Sequence, residues 1–128
     1  MENMNEIDKS TIGKASVYNT TYYYNPFFTK LPEAIKEEIQ HICTFYSAKL
    51  HCVFSVEFRE NGEVFFKTAA EDWDMNYDEI GAGLDMNKLA REKRDLFHSL
   101  KTWYLIFVLG VAPEDVQKRL SEDDGLDS

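Results

Sequence analysis

The chain has 128 residues, 44% of them hydrophobic and 14% aromatic, with 14 Lys and Arg against 23 Asp and Glu for a formal net charge of −9. That length feeds one hydrophobic core rather than two, and the acidic surplus repels phosphate backbones and anionic lipid, which sets nucleic acid and membranes aside as partners. No basic segment followed by an apolar one opens the sequence, and the longest apolar run, Trp103 to Leu109, is far short of the roughly 20 residues of a membrane span, so a cytosolic protein is expected.

Residues 1–13 are polar and without period, and they read as a flexible N-terminal arm. Ala15 to Tyr24 is dense in β-branched and aromatic residues and reads as one strand, stopped by the turn dipeptide Asn25-Pro26. Thr29 as N-cap and Pro32 in the first turn then open a helix to about Ser47. Its apolar positions Ile35, Ile39, Ile42 and Tyr46 recur at helical spacing, with Glu33, Lys36, Glu37 and Gln40 on the other side.

Cys52, Phe54, Val56 and Phe58 alternate with Val53, Ser55 and Glu57, the period of a strand with one buried face. Asn61-Gly62 signals a hairpin, and the loop length decides which side chains go inward. A two-residue turn would bury Lys67. A three-residue loop, Glu60-Asn61-Gly62 with Gly62 left-handed, instead aligns Val64, Phe66 and Thr68 with the apolar face and sets Arg59 opposite Glu63, and this bulged register is expected.

Glu71 to Asp78 is acidic and irregular, and Gly81 and Gly83 loosen the chain after it. Asp85 reads as the N-cap of a helix running from Met86 to Leu109 and ending at Gly110, with Leu84 stapled onto Leu89. Its stripe is Leu89, Leu96, Phe97, Leu100, Trp103, Tyr104 and Phe107. The end of that helix is apolar all round and needs covering by other elements or by a second subunit. Pro113 opens a short helix to about Leu120, and 121–128 reads as a disordered acidic tail.

No pattern of residues reaches a recognisable chemistry. Asp72, Asp74, Asn76 and Asp78 space oxygen donors as a calcium loop begins, but that loop needs Gly at its sixth position and Glu at its twelfth, where this chain has Tyr77 and Gly83. These four remain the candidate ligands of a divalent cation, as an alternative reading. Gly81-Ala-Gly83 lacks the strand and the third glycine of a phosphate cradle, Met86 standing in its place. His41, Cys43, His51 and Cys52 lack zinc spacing, and no Ser or Cys sits in a nucleophile motif. The two cysteines are too few for a disulfide framework and read as buried thiols of a reducing compartment. No catalytic residue is assigned and no cofactor is expected.

Candidate contacts for a protein partner are Tyr22, Tyr24 and Phe27 on an aromatic edge, Trp73 in the acidic loop, and Arg91 and Arg94. The two arginines belong to a basic run that includes Lys88, Lys93 and Lys101.

Three segments carry a resemblance: Tyr77-Asp-Glu-Ile-Gly-Ala-Gly-Leu84, the Glu-Lys-Arg-Asp-Leu-Phe that follows, and Lys101-Thr-Trp-Tyr-Leu-Ile-Phe-Val-Leu-Gly110. They resemble a family of small uncharacterised proteins from anaerobic Firmicutes, a domain of unknown function, over about Leu31 to Gly110. The resemblance implies a bacterial cytosolic origin, and a family without an assigned activity transfers no site residue.

The expected fold is a single α+β domain over 14–120, in which a small antiparallel sheet, made of the N-terminal strand and the hairpin, is covered by two main helices beside a short C-terminal one. The expected function is that of a non-enzymatic interaction or regulatory module with an acidic surface that holds a basic protein partner. Exposed sheet edges point to a homodimer. The alternatives are cation binding by the acidic loop and an enzyme of a kind that the residues do not reveal.

Overall fold

The computed structural model describes residues 7–125. Four antiparallel strands, β1 (Thr11–Ser16), β2 (Thr21–Tyr24), β3 (Val53–Phe58) and β4 (Val64–Ala69), form one sheet in the order β2-β1-β3-β4. The helices are α1 (Glu33–Leu50), α2 (Glu79–Glu92), α3 (Arg94–Phe107) and α4 (Pro113–Gly125), with a single 3₁₀ turn at Pro26–Phe28. The α+β class and the antiparallel sheet agree with expectation, but the sheet has four strands where three were read.

The extra strand comes from the segment Ala15 to Tyr24, which folds back on itself. Its turn has no Gly or Pro to announce it. Thr20 instead takes a left-handed φ of 53°, and Asn19 accepts a hydrogen bond from the Thr21 hydroxyl at 2.7 Å. Thr11, Ile12 and Gly13, placed in the N-terminal arm by sequence, belong to β1, and Ile12 is fully buried. Residues 7–10 of the predicted arm lead into β1, with the Ser10 hydroxyl bonded to the Phe58 carbonyl at 3.1 Å, and residues 1–6 lie outside the described residues.

The bulged hairpin forms as expected. Phe54, Val56 and Phe58 pair with Thr68, Phe66 and Val64, the Arg59 amide bonds the Glu63 carbonyl at 2.7 Å, and the Gly62 amide bonds the Arg59 carbonyl at 2.9 Å. Gly62 has φ +90°, where a side chain is strained. Lys67 pairs with Ser55 and turns away from the apolar face.

That face is covered by helices. Tyr46 of α1 stacks on Phe54, Phe97 of α3 lies on Phe66, and Tyr104 of α3 lies on Phe58. Ile39, Ile42, Leu89, Leu96 and Leu100 complete the core. Phe28 is drawn into it from the 3₁₀ turn and meets Phe58 and Trp103. Asn25, buried beside it, holds the turn: its amide donates to the carbonyls of Asp8 and Thr11, each at 2.8 Å, and its side-chain oxygen receives the Phe27 amide at 3.0 Å.

Three helix boundaries differ from expectation. The N-cap of α1 is Pro32 rather than Thr29, because the residues before it are used in the 3₁₀ turn. The second helix starts at Glu79 with Asp78 as N-cap, so Gly81 and Gly83 are helical and Leu84, read as a staple, is exposed on it. The long helix is two helices, interrupted at Lys93, whose φ and ψ of −103° and 26° leave the helical region. No Gly or Pro marks that break, which lets both halves lie against β4. Lys93 itself donates to Glu38 of α1 at 2.9 Å.

The apolar end of α3 is covered within the chain. Leu105 is fully buried by Val116 and Leu120 of α4, while Phe107 and Leu109 stay exposed. Residues 121–125, read as part of a disordered tail, continue α4, and 126–128 lie outside the described residues.

Candidate functional site

The most organised polar cluster among the described residues gathers three segments that are remote in sequence. Tyr18 stands in the turn between β1 and β2. His51 ends α1 as its left-handed C-cap, with φ 61°. Asp74 lies in the acidic loop between β4 and α2, where its amide bonds the Glu71 carbonyl at 3.0 Å. The Tyr18 hydroxyl donates to Asp74 Oδ2 at 2.7 Å and accepts from the Glu71 amide at 3.0 Å. His51 Nδ1 meets the same Oδ2 at 2.5 Å, and the Asn76 amide donates to Oδ1 at 2.8 Å. The rings of His51 and Trp73 pack edge-on against Tyr18.

Asp74 is the centre of this arrangement. Its side chain is fully buried while that of His51 is about a third exposed. The Tyr18 hydroxyl, aided by the Asn76 amide and His51 and opposed by burial, holds the Asp74 carboxyl below the usual carboxylate range. A carboxylate only accepts hydrogen bonds, so Nδ1 of His51 carries the proton that it shares with Asp74.

An oriented imidazole of this kind is half of a general-base device. The other half is absent among the described residues, because the ring makes no hydrogen bond to a hydroxyl or thiol. The neighbouring Cys52 is fully buried, and burial, with the nearby Asp74 charge, pushes its thiol up to about 11. Cys43, likewise free and buried, is pushed up to about 12. Neither is a thiolate nucleophile at neutral pH. Its contacts make the cluster a fastening that ties the end of α1, the β1–β2 turn and the acidic loop to one carboxylate.

That fastening has a pH signature. The folded carboxyl titrates below its unfolded value of 3.8, so its contribution to stability is present above about pH 4 and is lost as the pH falls through the folded value. Asp74→Asn should be less stable than the parent chain at pH 7, and the gap should close on acidification toward pH ~2. Urea denaturation of both proteins at a series of pH values checks this, and a gap independent of pH would remove Asp74 from the account.

The four candidate ligands of the acidic loop point in different directions. Asp74 turns inward to Tyr18 and His51, and among the described residues no three carboxylate, imidazole or thiol side chains are placed to share a metal ion. Asp72, Asn76 and Asp78 are left exposed, Asp78 as the N-cap of α2. The turn begun at Glu71, where the Asp74 amide bonds the Glu71 carbonyl, sends Asp74 inward and leaves the other three outside.

The candidate partner contacts fall on different elements. Tyr22 and Tyr24 are half-buried on β2, and the Tyr24 hydroxyl donates to the Phe28 carbonyl. Phe27 is half-buried against Phe28, with Lys9 over its ring. Trp73 is 67% exposed. Arg91 closes α2, and Arg94 opens α3.

Beside Trp73 the structure adds residues that sequence reasoning passed over. Met75 is 94% exposed, and Ile80 and Leu84, one turn apart on α2, are 78% and 67% exposed. Their i, i+4 spacing in a helix beginning at Glu79 was the available signal, hidden when Gly81 and Gly83 were read as a loose turn.

A comparison with protein-family models matches residues 9–112 to a family of unknown function, DUF6145. The chain belongs to DUF6145. The match is longer than the resemblance seen in the sequence, since it takes in β1, β2 and the turn bearing Tyr18, and it stops just before α4. No curated protein and no solved structure matches this DUF6145 chain. No helix among its described residues is long and apolar enough to cross a membrane.

Proposed function

We propose that this DUF6145 protein is a non-enzymatic interaction module of the cytosol that holds a basic protein partner on the segment from Trp73 to Leu84. The observation that carries this reading is the exposure of Trp73, Met75, Ile80 and Leu84 among the exposed carboxylates of Asp72, Asp78 and Glu79. Large apolar side chains grouped in one exposed segment are a feature of interaction surfaces, and the carboxylates around them, with the net charge of −9, favour a cationic partner. The fastening at Asp74 supports this role by fixing the loop that presents Trp73 and Met75, which lowers the ordering cost of binding. Free, buried Cys43 and Cys52 suit a reducing compartment.

A photo-crosslinking amino acid at Ile80, in the cell of origin, should capture a basic protein that the same probe at Glu114 does not. Trp73→Ser should reduce the yield, since a buried aromatic anchor is worth about 2 kcal/mol or more. Equal capture at both positions, or none at Ile80, would overturn the reading.

Self-association is a second reading, favoured by the open edges of β2 and β4 and by exposed Phe107 and Leu109. Light scattering distinguishes it, a monomer at micromolar concentration counting against a homodimer.

A further inference from the structure

Between the hairpin and helices α2, α3 and α4 lies a concavity that the interaction reading does not use. It has a volume of about 580 Å³ and is bounded by β4, α2, α3 and α4. That size is in the range of small-molecule sites, on the order of 300–1,000 Å³.

Its lining is chemically selective. Arg94, Phe97, His98 and Lys101 all come from α3, at i, i+3, i+4 and i+7, so one stripe of the helix projects into it. Glu63 faces them from the hairpin, and Leu120 closes the α4 side. Lys101 is largely buried and its ammonium lies 4.0 Å from Glu63, so that pair forms a fixed polar wall. The side chains of Arg94 and His98, by contrast, make no hydrogen bond or ion pair among the described residues. A guanidinium is a forked donor matched to carboxylate and phosphate oxygens, and the ring of Phe97 between Arg94 and Lys101 offers apolar surface beside it.

We propose that this cleft binds a small organic anion, a carboxylate or phosphate carried on an apolar or aromatic body, with Arg94 and His98 holding the oxyanion and Phe97 and Leu120 holding the body. The overall field of the chain is negative, so the attraction is local to the cleft and to ligands that enter it. Long polyanions, which must also meet the acidic surface, are disfavoured. The proposal is independent of the interaction reading, because none of the residues from Trp73 to Leu84 lines the cleft.

Phenyl phosphate and benzoate serve as probes, with benzyl alcohol as the neutral control, each titrated into ¹⁵N-labelled full-length protein and followed by amide NMR. Saturable shifts at Arg94, Phe97 and His98 are expected with at least one of the two anions, and the tighter one identifies the head group. Arg94→Ala should weaken that anion ~10-fold or more, the usual loss for a charge-assisted hydrogen bond, whereas Lys118→Ala, an exposed cation on α4 outside the lining, should not change it. Arg94 is exposed, so its replacement leaves the core untouched, and the spectrum of the free variant verifies folding. Absence of saturation by about 10 mM, a weak limit for a specific site, overturns the proposal. So does equal binding of benzyl alcohol, or equal weakening by the two variants.

Discussion

Replacing Phe28 by alanine should destabilise the protein by about 3–5 kcal/mol, the range for emptying an aromatic site in a packed core. Phe28 is fully buried although it lies in a 3₁₀ turn between β2 and α1, and it packs on Phe58 of β3 and Trp103 of α3 as well as on Phe27. One ring thus joins the hairpin, the third helix and the entry to the first. A domain of this size has about 5–15 kcal/mol of stability in all, so the loss should appear as a large fall in the urea midpoint. Phe27→Ala, which empties a half-exposed position, is the control and should cost clearly less. Comparable midpoints for the two variants would show that Phe28 is not the joint described.

Gly13→Ala should cost about 1–3 kcal/mol through overpacking, although alanine is ordinarily tolerated in a strand. A methyl group on Gly13 would lie 2.5 Å from the Tyr22 hydroxyl oxygen and 2.9 Å from Cγ2 of Ile39. The first neighbour belongs to the adjacent strand and the second to the helix above it, so β1 and α1 approach as closely as a hydrogen side chain allows. The Tyr22 hydroxyl is itself buried without a hydrogen-bond partner among the described residues, and burial pushes its ionisation well above the usual tyrosine range. Tyr22→Phe alone should therefore be close to neutral or stabilising. In combination with Gly13→Ala it should recover part of the loss, since the two substitutions share one space. Strict additivity in equilibrium denaturation would place the strain elsewhere.

Where side-chain alternation and turn chemistry agree, local sequence was sufficient to anticipate structure. The hairpin register follows from the single requirement that Lys67 stay out of the apolar face, and α1 follows from Ile35, Ile39, Ile42 and Tyr46. Gly110, read as a terminator, does take a left-handed φ of 71° behind α3. The features that escaped lack a local residue signal. The β1–β2 turn is made by Asn19 and Thr20 without Gly or Pro, and the interruption at Lys93 serves the packing of two helices on one strand rather than any propensity. The union of Tyr18, His51 and Asp74 spans loops whose approach depends on the whole fold, and no spacing in one sequence encodes it. Asp74 was read as one of four equivalent oxygen donors; its burial sets it apart.

The helix α4 bears on where this protein can be cut. The family match closes at residue 112, yet Leu105 inside it is covered by Val116 and Leu120 beyond it. For this chain the limit of the family match and the limit of the folding unit are different places. A fragment trimmed to the matched segment would carry an uncovered leucine at the base of α3 and an open wall where Leu120 bounds the cleft, so expression boundaries are better taken from the packing than from the family.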